Sequence, residues 1–191
     1  NLTPLKQKNI LRYWPEIKGL DAPGAKIINE VLTALIDARK DSSPKVSTGD
    51  GQYCRFRDRL YLLKVSKGFD ASVNQQEDFI WDTDNPISLS DGSHLTVEQT
   101  VGDGLRAELA AALSVTTRKG GERCKPAGRG HSNSLKKLLQ EFNVEPWWRD
   151  RAPLLFIDQQ LVAVADFWIC DGWQAQPGEK SIKIHWHTNS L

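Results

Sequence analysis

The chain has 191 residues, 39% of them hydrophobic, with 25 Lys and Arg against 24 Asp and Glu and a formal net charge of +1. That is enough apolar content for one large or two small cores. With no run near the roughly 18 apolar residues that cross a bilayer and no secretory leader at its start, the chain is expected to be cytoplasmic, without a membrane partner. Three widely spaced cysteines, Cys54, Cys124 and Cys170, argue against both a disulfide framework and a zinc ribbon. The absence of any methionine leaves two readings, an excised fragment or modified methionines missing from the written chain.

In chain order, Thr3 and Pro4 suit the N-cap and first position of a helix expected to run to about Tyr13 and stop at Pro15. From about 23 to 39, Ile27, Ile28, Val31, Leu32, Leu35 and Ile36 recur at helical spacing, predicting a second helix with a broad apolar stripe. Around Gln52 the period shortens to two, and Tyr53, Arg55 and Arg57 alternate with Cys54 and Phe56. A second run over 60–65 completes a hairpin turning at Arg57-Asp58-Arg59. Its Arg55 and Arg57 are expected on one face, either solvated or meeting a polyanion together with Arg39, Lys40 and Lys45. Between 68 and 91 the composition turns polar and acidic, with Asp70, Glu77, Asp78, Asp82 and Asp84, and a domain boundary is placed there. Short strands are expected near 79–81, 87–89 and 95–97, with Trp81 as a packing residue.

The charge then changes sign. From Arg118 to Arg151 nine Lys and Arg stand against four Asp and Glu, a local +5 that leaves about −4 for the rest of the chain and marks a footprint for a polyanion. Gly120, Gly121, Gly128 and Gly130 open the backbone of this stretch to close approach by a ligand. Ser132, Asn133 and Ser134 offer N-caps for a helix whose Leu135, Leu138, Leu139 and Phe142 form one apolar face. Arg129, His131, Lys136 and Lys137 would surround its N-terminus, a place suited to a phosphate. The loop has no G-x-x-x-x-G-K-[ST], and Gly128-Arg129-Gly130 lacks the remainder of a dinucleotide fingerprint, so nucleic-acid phosphates fit better than a bound nucleotide.

Pro146 suits the start of a short turn carrying Trp147-Trp148-Arg149-Asp150-Arg151. Adjacent tryptophans read mainly as core, with base stacking as the functional alternative, and Asp150 is placed to hold a neighbouring arginine. Runs 153–157 and 161–165 form a hairpin across Asp158-Gln159-Gln160, and their near-continuous apolar character predicts buried strands. Phe167-Trp168-Ile169 and 182–186 are expected to extend that sheet. His185 and His187 share a strand face but lack a third ligand, so no metal site is assigned. Cys124 beside Arg123 and Lys125 lacks a base and a pocket, and no clustered nucleophile, base and orienting group occurs.

Four blocks in order carry a family resemblance: Arg118-Lys119-Gly120-Gly121-Glu122-Arg123-Cys124, Ser134-Leu135-Lys136-Lys137-Leu138, residues 144–155 with Glu145-Pro146-Trp147-Trp148-Arg149-Asp150, and Leu161-Val162-Ala163-Val164-Ala165. They resemble the C-terminal domain of bacterial tRNA(Ile)-lysidine synthetase, most strongly from about 115 to 186. Asn9-Ile10-Leu11-Arg12-Tyr13-Trp14 and residues 37–44 resemble that family's middle, substrate-binding domain. The resemblance implies an ATP-dependent ligase, using magnesium and lysine as substrate, that attaches lysine to the wobble cytidine of the minor isoleucine tRNA with a CAU anticodon. The S-G-G-x-D-S loop of the family's N-terminal catalytic domain does not occur here. The chain therefore resembles the tRNA-gripping portion alone, inactive by itself, with tRNA and the missing catalytic domain as its partners.

The expected fold is α+β: a helical and hairpin substrate-binding domain at 1–68, a polar connecting segment with short strands at 69–114, and a C-terminal α/β layer domain with a mixed sheet at 115–191. No residue is assigned to catalysis, a cofactor or a metal. The phosphate contacts are expected to be Arg118, Lys119, Arg123, Lys125, Arg129, His131, Lys136, Lys137, Arg149 and Arg151, with Arg55 and Arg57 as weaker candidates. The alternative is a free-standing RNA- or protein-binding module without tRNA selectivity.

Overall fold

The computed structural model describes residues 2–36, 44–64, 79–109 and 113–188. Arg39, Lys40, Asp70, Glu77 and Asp78 lie outside them, as does the end of the second predicted helix. The chain divides into a unit within 1–71 and a second within 72–188.

Helix α1 (Pro4–Ile17) begins with proline, as expected, but continues through Pro15 instead of stopping there. Pro15 has no N–H to offer the Leu11 carbonyl four residues earlier. The hydroxyl of Tyr53 donates to that carbonyl in its place, and the last turn survives because a strand supplies the missing donor. Helix α2 (Ala25–Glu30) passes directly into a π turn, Val31–Ile36. The strands β1 (Lys45–Thr48), β2 (Gly51–Phe56) and β3 (Arg59–Lys64) form an antiparallel sheet in that order. The β2–β3 hairpin matches the alternation of the sequence, and Arg57 adopts a left-handed φ of 56° in its turn. Strand β1 was not expected. Leu11, Leu20, Ile28, Val31, Leu35, Val46, Tyr53 and Leu62 close into one core, each aliphatic contributing about 1.5–3 kcal/mol on full burial.

The second unit runs through β4 (Phe79–Trp81), β5 (Ile87–Ser88), β6 (His94–Val101), β7 (Leu105–Arg106), β8 (Leu113–Thr116), β9 (Arg123–Cys124) and β10 (Asn133–Ser134) to helix α3 (Leu135–Glu141). After it come β11 (Leu154–Ile157), β12 (Gln160–Val164), β13 (Trp168–Ile169) and β14 (Lys180–His187). One sheet has the order β13-β12-β11-β8-β4, another β5-β6-β14-β7, and β9 pairs with β10 alone.

Every ladder among the described residues is antiparallel, which corrects the mixed sheet expected for the C-terminal part. The physical reason is clearest between β11 and β12. Asp158 and Gln159 both take left-handed φ, 46° and 66°, making the kind of tight two-residue turn that joins only antiparallel neighbours. A second correction concerns β14, which does not extend the β11–β12 sheet but pairs along its whole length with β6, from Lys180↔Val101 to His187↔His94. The polar stretch 69–114 supplies β4 to one sheet and β5, β6 and β7 to the other. Its sparse alternation reflects narrow strands with one wet face; in β6 only Leu95 is fully buried.

Candidate nucleic-acid interface

Helix α3 buries Leu135, Leu138 and Leu139 and leaves Lys136 and Lys137 exposed, so its helical period sorts apolar from basic side chains. Ser134 is the N-cap, its Oγ accepting from the Lys137 N–H at 3.4 Å. Of the other N–H groups at this end, that of Leu135 goes to the Glu122 carbonyl at 2.9 Å. The helix is only seven residues long, and the N–H groups of Leu135 and Lys137 at its start are already engaged within the chain.

The glycine-rich loop is likewise organised from within. The Glu122 carboxylate accepts from the backbone N–H groups of Lys119 and Gly120, taking the place anticipated for a ligand oxygen. Gly120 and Gly121 need their glycine for another reason, left-handed φ of 97° and 88°. The loop then enters β9, which pairs Cys124 with Asn133 and Arg123 with Ser134. This small hairpin, unforeseen because two-residue strands have no period, holds Arg123 on its first strand and Lys125, Arg129 and His131 in the segment that leads to β10.

The basic residues divide by partner. Arg118 meets Asp150 at 3.0 Å, so Asp150 does hold an arginine, though one from across the fold. Arg149 donates through Nε to the Val144 carbonyl at 2.8 Å, and burial depresses its pKa against the pull of Asp150 and Glu145. Arg151 lies over the Trp148 ring at 6.0 Å, its pKa also lowered by burial, with Asp91 opposing. Trp147 and Trp148 are 8% and 9% exposed, and Trp148 packs edge-on against Trp186 at 5.5 Å, which fits the core reading of the tandem pair. Arg149 and Arg151 thus help to hold this turn.

Lys125 pairs with Asp171 at 2.8 Å, where the Lys125 carbonyl also accepts the Asp171 N–H. Arg129 pairs with Glu141 at 2.7 Å, and Lys137 approaches the other oxygen of the same carboxylate at 3.7 Å. Arg123 donates to the Ser132 carbonyl at 3.2 Å and is otherwise exposed. Lys119, His131 and Lys136 are exposed. The acids Glu122, Glu141, Asp150 and Asp171 are the part of the arrangement that a charge count does not reveal; only an i,i+4 spacing such as Lys137 to Glu141 is visible in sequence.

Arg55 and Arg57 belong to the first unit. Arg55 is turned inward, Nη1 donating to the carbonyls of Leu35 and Ile36 at 2.7 and 2.9 Å and Nε to that of Arg57 at 2.9 Å, with Asp58 at 3.8 Å. It ties the strand to the end of the π turn. Arg57 is exposed, its guanidinium 5.6 Å from the Phe56 ring.

Cys124 is buried. A hydrogen bond with Cys170 lowers its pKa, burial raises it, and the Trp168 Nε1–H, donating to Sγ at 3.4 Å, lowers it again; the neighbouring cations are not the cause. His185 contacts Glu98 at 3.0 Å and His187 contacts Thr96 at 2.9 Å. Among the described residues no three His, Cys, Asp or Glu side chains gather as a metal-binding group, and no helix is long and apolar enough to cross a membrane.

Comparison with known proteins agrees on both units. A family model described as the TilS substrate C-terminal domain matches residues 113–186, and one described as the TilS substrate binding domain matches 1–61. A protein of Methylococcus capsulatus named tRNA(Ile)-lysidine synthase is 32% identical over 188 residues, covering 97% of this chain and 42% of that protein. One of the same name from Coxiella burnetii is 32% identical over 180 residues, 93% of this chain and 39% of that one. The chain thus spans about two fifths of the curated relatives it matches. A solved structure described as the crystal structure of the TilS C-terminal domain aligns over 59% of this chain and 98% of that chain, with 18% identity and a TM-score of 0.44.

Proposed function

This chain belongs to the tRNA(Ile)-lysidine synthase family, as its substrate-binding and C-terminal portions, and from that premise we propose that it grips tRNA for a ligase whose catalytic part lies elsewhere in the longer relatives. In this reading the reaction is attachment of lysine to the wobble cytidine of the minor isoleucine tRNA. ATP, magnesium and lysine would be handled by that other part; among the described residues no three His, Cys, Asp or Glu side chains gather to hold a metal ion.

The observation that carries the reading is the β9–β10 hairpin and α3, which collect exposed Arg123, His131, Lys136 and Lys137 on one small framework. Lys119 and Lys125 extend this surface along the same loop. Contacts of this kind fix register and orientation on a polynucleotide without reading its bases. Their affinity comes from counterion release, so it falls with salt by about 0.7–0.9 logarithmic units per phosphate contact.

The test is equilibrium binding over a salt series to three RNAs: the minor isoleucine tRNA with a CAU anticodon, the elongator methionine tRNA and an unrelated duplex. Preference for the first with a steep salt dependence is the expected result. Equal binding to all three makes the chain a general RNA-binding module, and absence of binding reduces the basic cluster to a solvated face.

A further inference from the structure

Arg129 differs from the other basic residues of the surface in what it has left to offer. Its charge is already met by the Glu141 carboxylate at 2.7 Å, so it is a poor phosphate ligand. Its planar guanidinium belongs to a side chain that stays partly exposed. The guanidinium carbon lies 5.1 Å from the centre of the Phe142 ring, and Phe142 in turn lies 4.5 Å from Trp168 at an interplanar angle of 35°. Trp168 is 8% exposed and anchored by its hydrogen bond to Cys124, whereas Phe142 is 37% exposed and the Arg129 side chain 41%. The three groups make a tier that starts in the core and ends on a flat cation at the surface. Gly128 and Gly130 flank it, and a Cβ at either would meet no heavy atom within 4 Å. Gly128 has a left-handed φ of 76° that explains its glycine, but Gly130 does not.

We propose that Arg129 is a stacking residue for an unpaired nucleobase, with Glu141 as the positioning residue that holds the guanidinium flat over Phe142. The inference rests on the tRNA reading and adds to it a preference for a nucleotide outside a duplex. Guanidinium planes and aromatic rings take up exposed bases, and a base within a duplex has both faces covered by its neighbours. A terminal or splayed-out base lying on Arg129 would leave its phosphate toward Lys137, which shares the Glu141 carboxylate, and toward exposed His131 and Lys136.

The experiment compares a short blunt RNA duplex with the same duplex carrying an unpaired 3′ extension that contains 2-aminopurine, using the whole chain. The extension should tighten binding by about tenfold, quench the 2-aminopurine fluorescence and retain both effects at high salt. Arg129→Lys keeps the charge and loses the plane; it should abolish the quenching and the advantage of the extension over the blunt duplex. Glu141→Gln, which leaves the guanidinium unheld, should weaken the quenching part of the way. Quenching that survives Arg129→Lys, or equal loss on both RNAs, overturns the stacking role while leaving the tRNA reading intact. Failure of the unaltered chain to bind either RNA overturns both.

Discussion

Two hairpins of this molecule present arginines at comparable positions and use them in opposite ways. On β2, Arg55 points back into its own unit and caps the carbonyls of Leu35 and Ile36. On β9, Arg123 has one carbonyl partner, Ser132, and otherwise faces solvent. What separates them is the backbone within reach. The end of the π turn leaves carbonyls unclaimed beside β2, whereas the α3 end beside β9 presents N–H groups, which repel a cation and are satisfied by Ser134 and Glu122. A basic residue becomes structural where a helix ends nearby in carbonyls, and remains available to a polyanion where one begins.

The largest test of this contrast is Arg55→Ala. Three charge-assisted hydrogen bonds to carbonyls are lost, and the first unit should be destabilised by about 3 kcal/mol, seen as a lower urea midpoint; a variant that unfolds like the parent would place Arg55 among the solvated residues. Tyr53→Phe should follow at about 2 kcal/mol, because it leaves the buried Leu11 carbonyl with no donor at all. Urea unfolding that moves by less than about 0.5 kcal/mol would mean that water replaces the hydroxyl.

The same unit should be alkali-sensitive. Burial raises Tyr53 from 10.0 to about 12, and burial raises Cys54 from 9.0 to about 11 against the opposing pull of Lys45. Both groups are favoured neutral in the folded state, so the stability they contribute is complete below pH 9 and is lost as pH rises through about 11 and then 12. An alkaline titration followed by circular dichroism should show this decline flattened by Tyr53→Phe. On the opposite side of the comparison, Lys136→Gln should leave the urea midpoint within about 0.5 kcal/mol of the parent while reducing the salt slope of RNA binding by about one unit. A slope that does not change would remove Lys136 from the interface. A gain in stability is expected at Gln159, where glycine relieves a left-handed φ of 66° and should add about 0.5–1 kcal/mol, raising the melting temperature without altering RNA binding.

Much of the framework was legible because it rests on local periodicity. The alternation around Tyr53 predicted the β2–β3 hairpin, the spacing of Leu135, Leu138 and Leu139 predicted α3, and the apolar runs on either side of Asp158 predicted β11 and β12. Strands of two residues such as β7, β9 and β10 have no period to read. The partners of β14 depend on residues some 80 positions away, as Ser181 pairs with Thr100. The basic surface was legible as a charge imbalance, but the division of its members was not. Arg118 with Asp150, Lys125 with Asp171 and Arg129 with Glu141 are pairs 32, 46 and 12 residues apart, beyond the reach of any local pattern. Pro15 misled for a related reason: its missing donor is made good by a tyrosine from a strand far along the chain.

The placement of β14 has a consequence for how this protein is made. The strand lies between β6 and β7 in its sheet, yet it is the last of the three to leave the ribosome. Until it arrives, β6 waits with an open edge, and Leu95 and Leu105, which end fully buried, wait with it. Closing so long a loop is slow compared with forming the hairpins of the first unit. The first unit can be finished while the second is still an incomplete sheet, and a nascent chain stalled shortly before Lys180 would be a target for chaperones or for pairing with another copy.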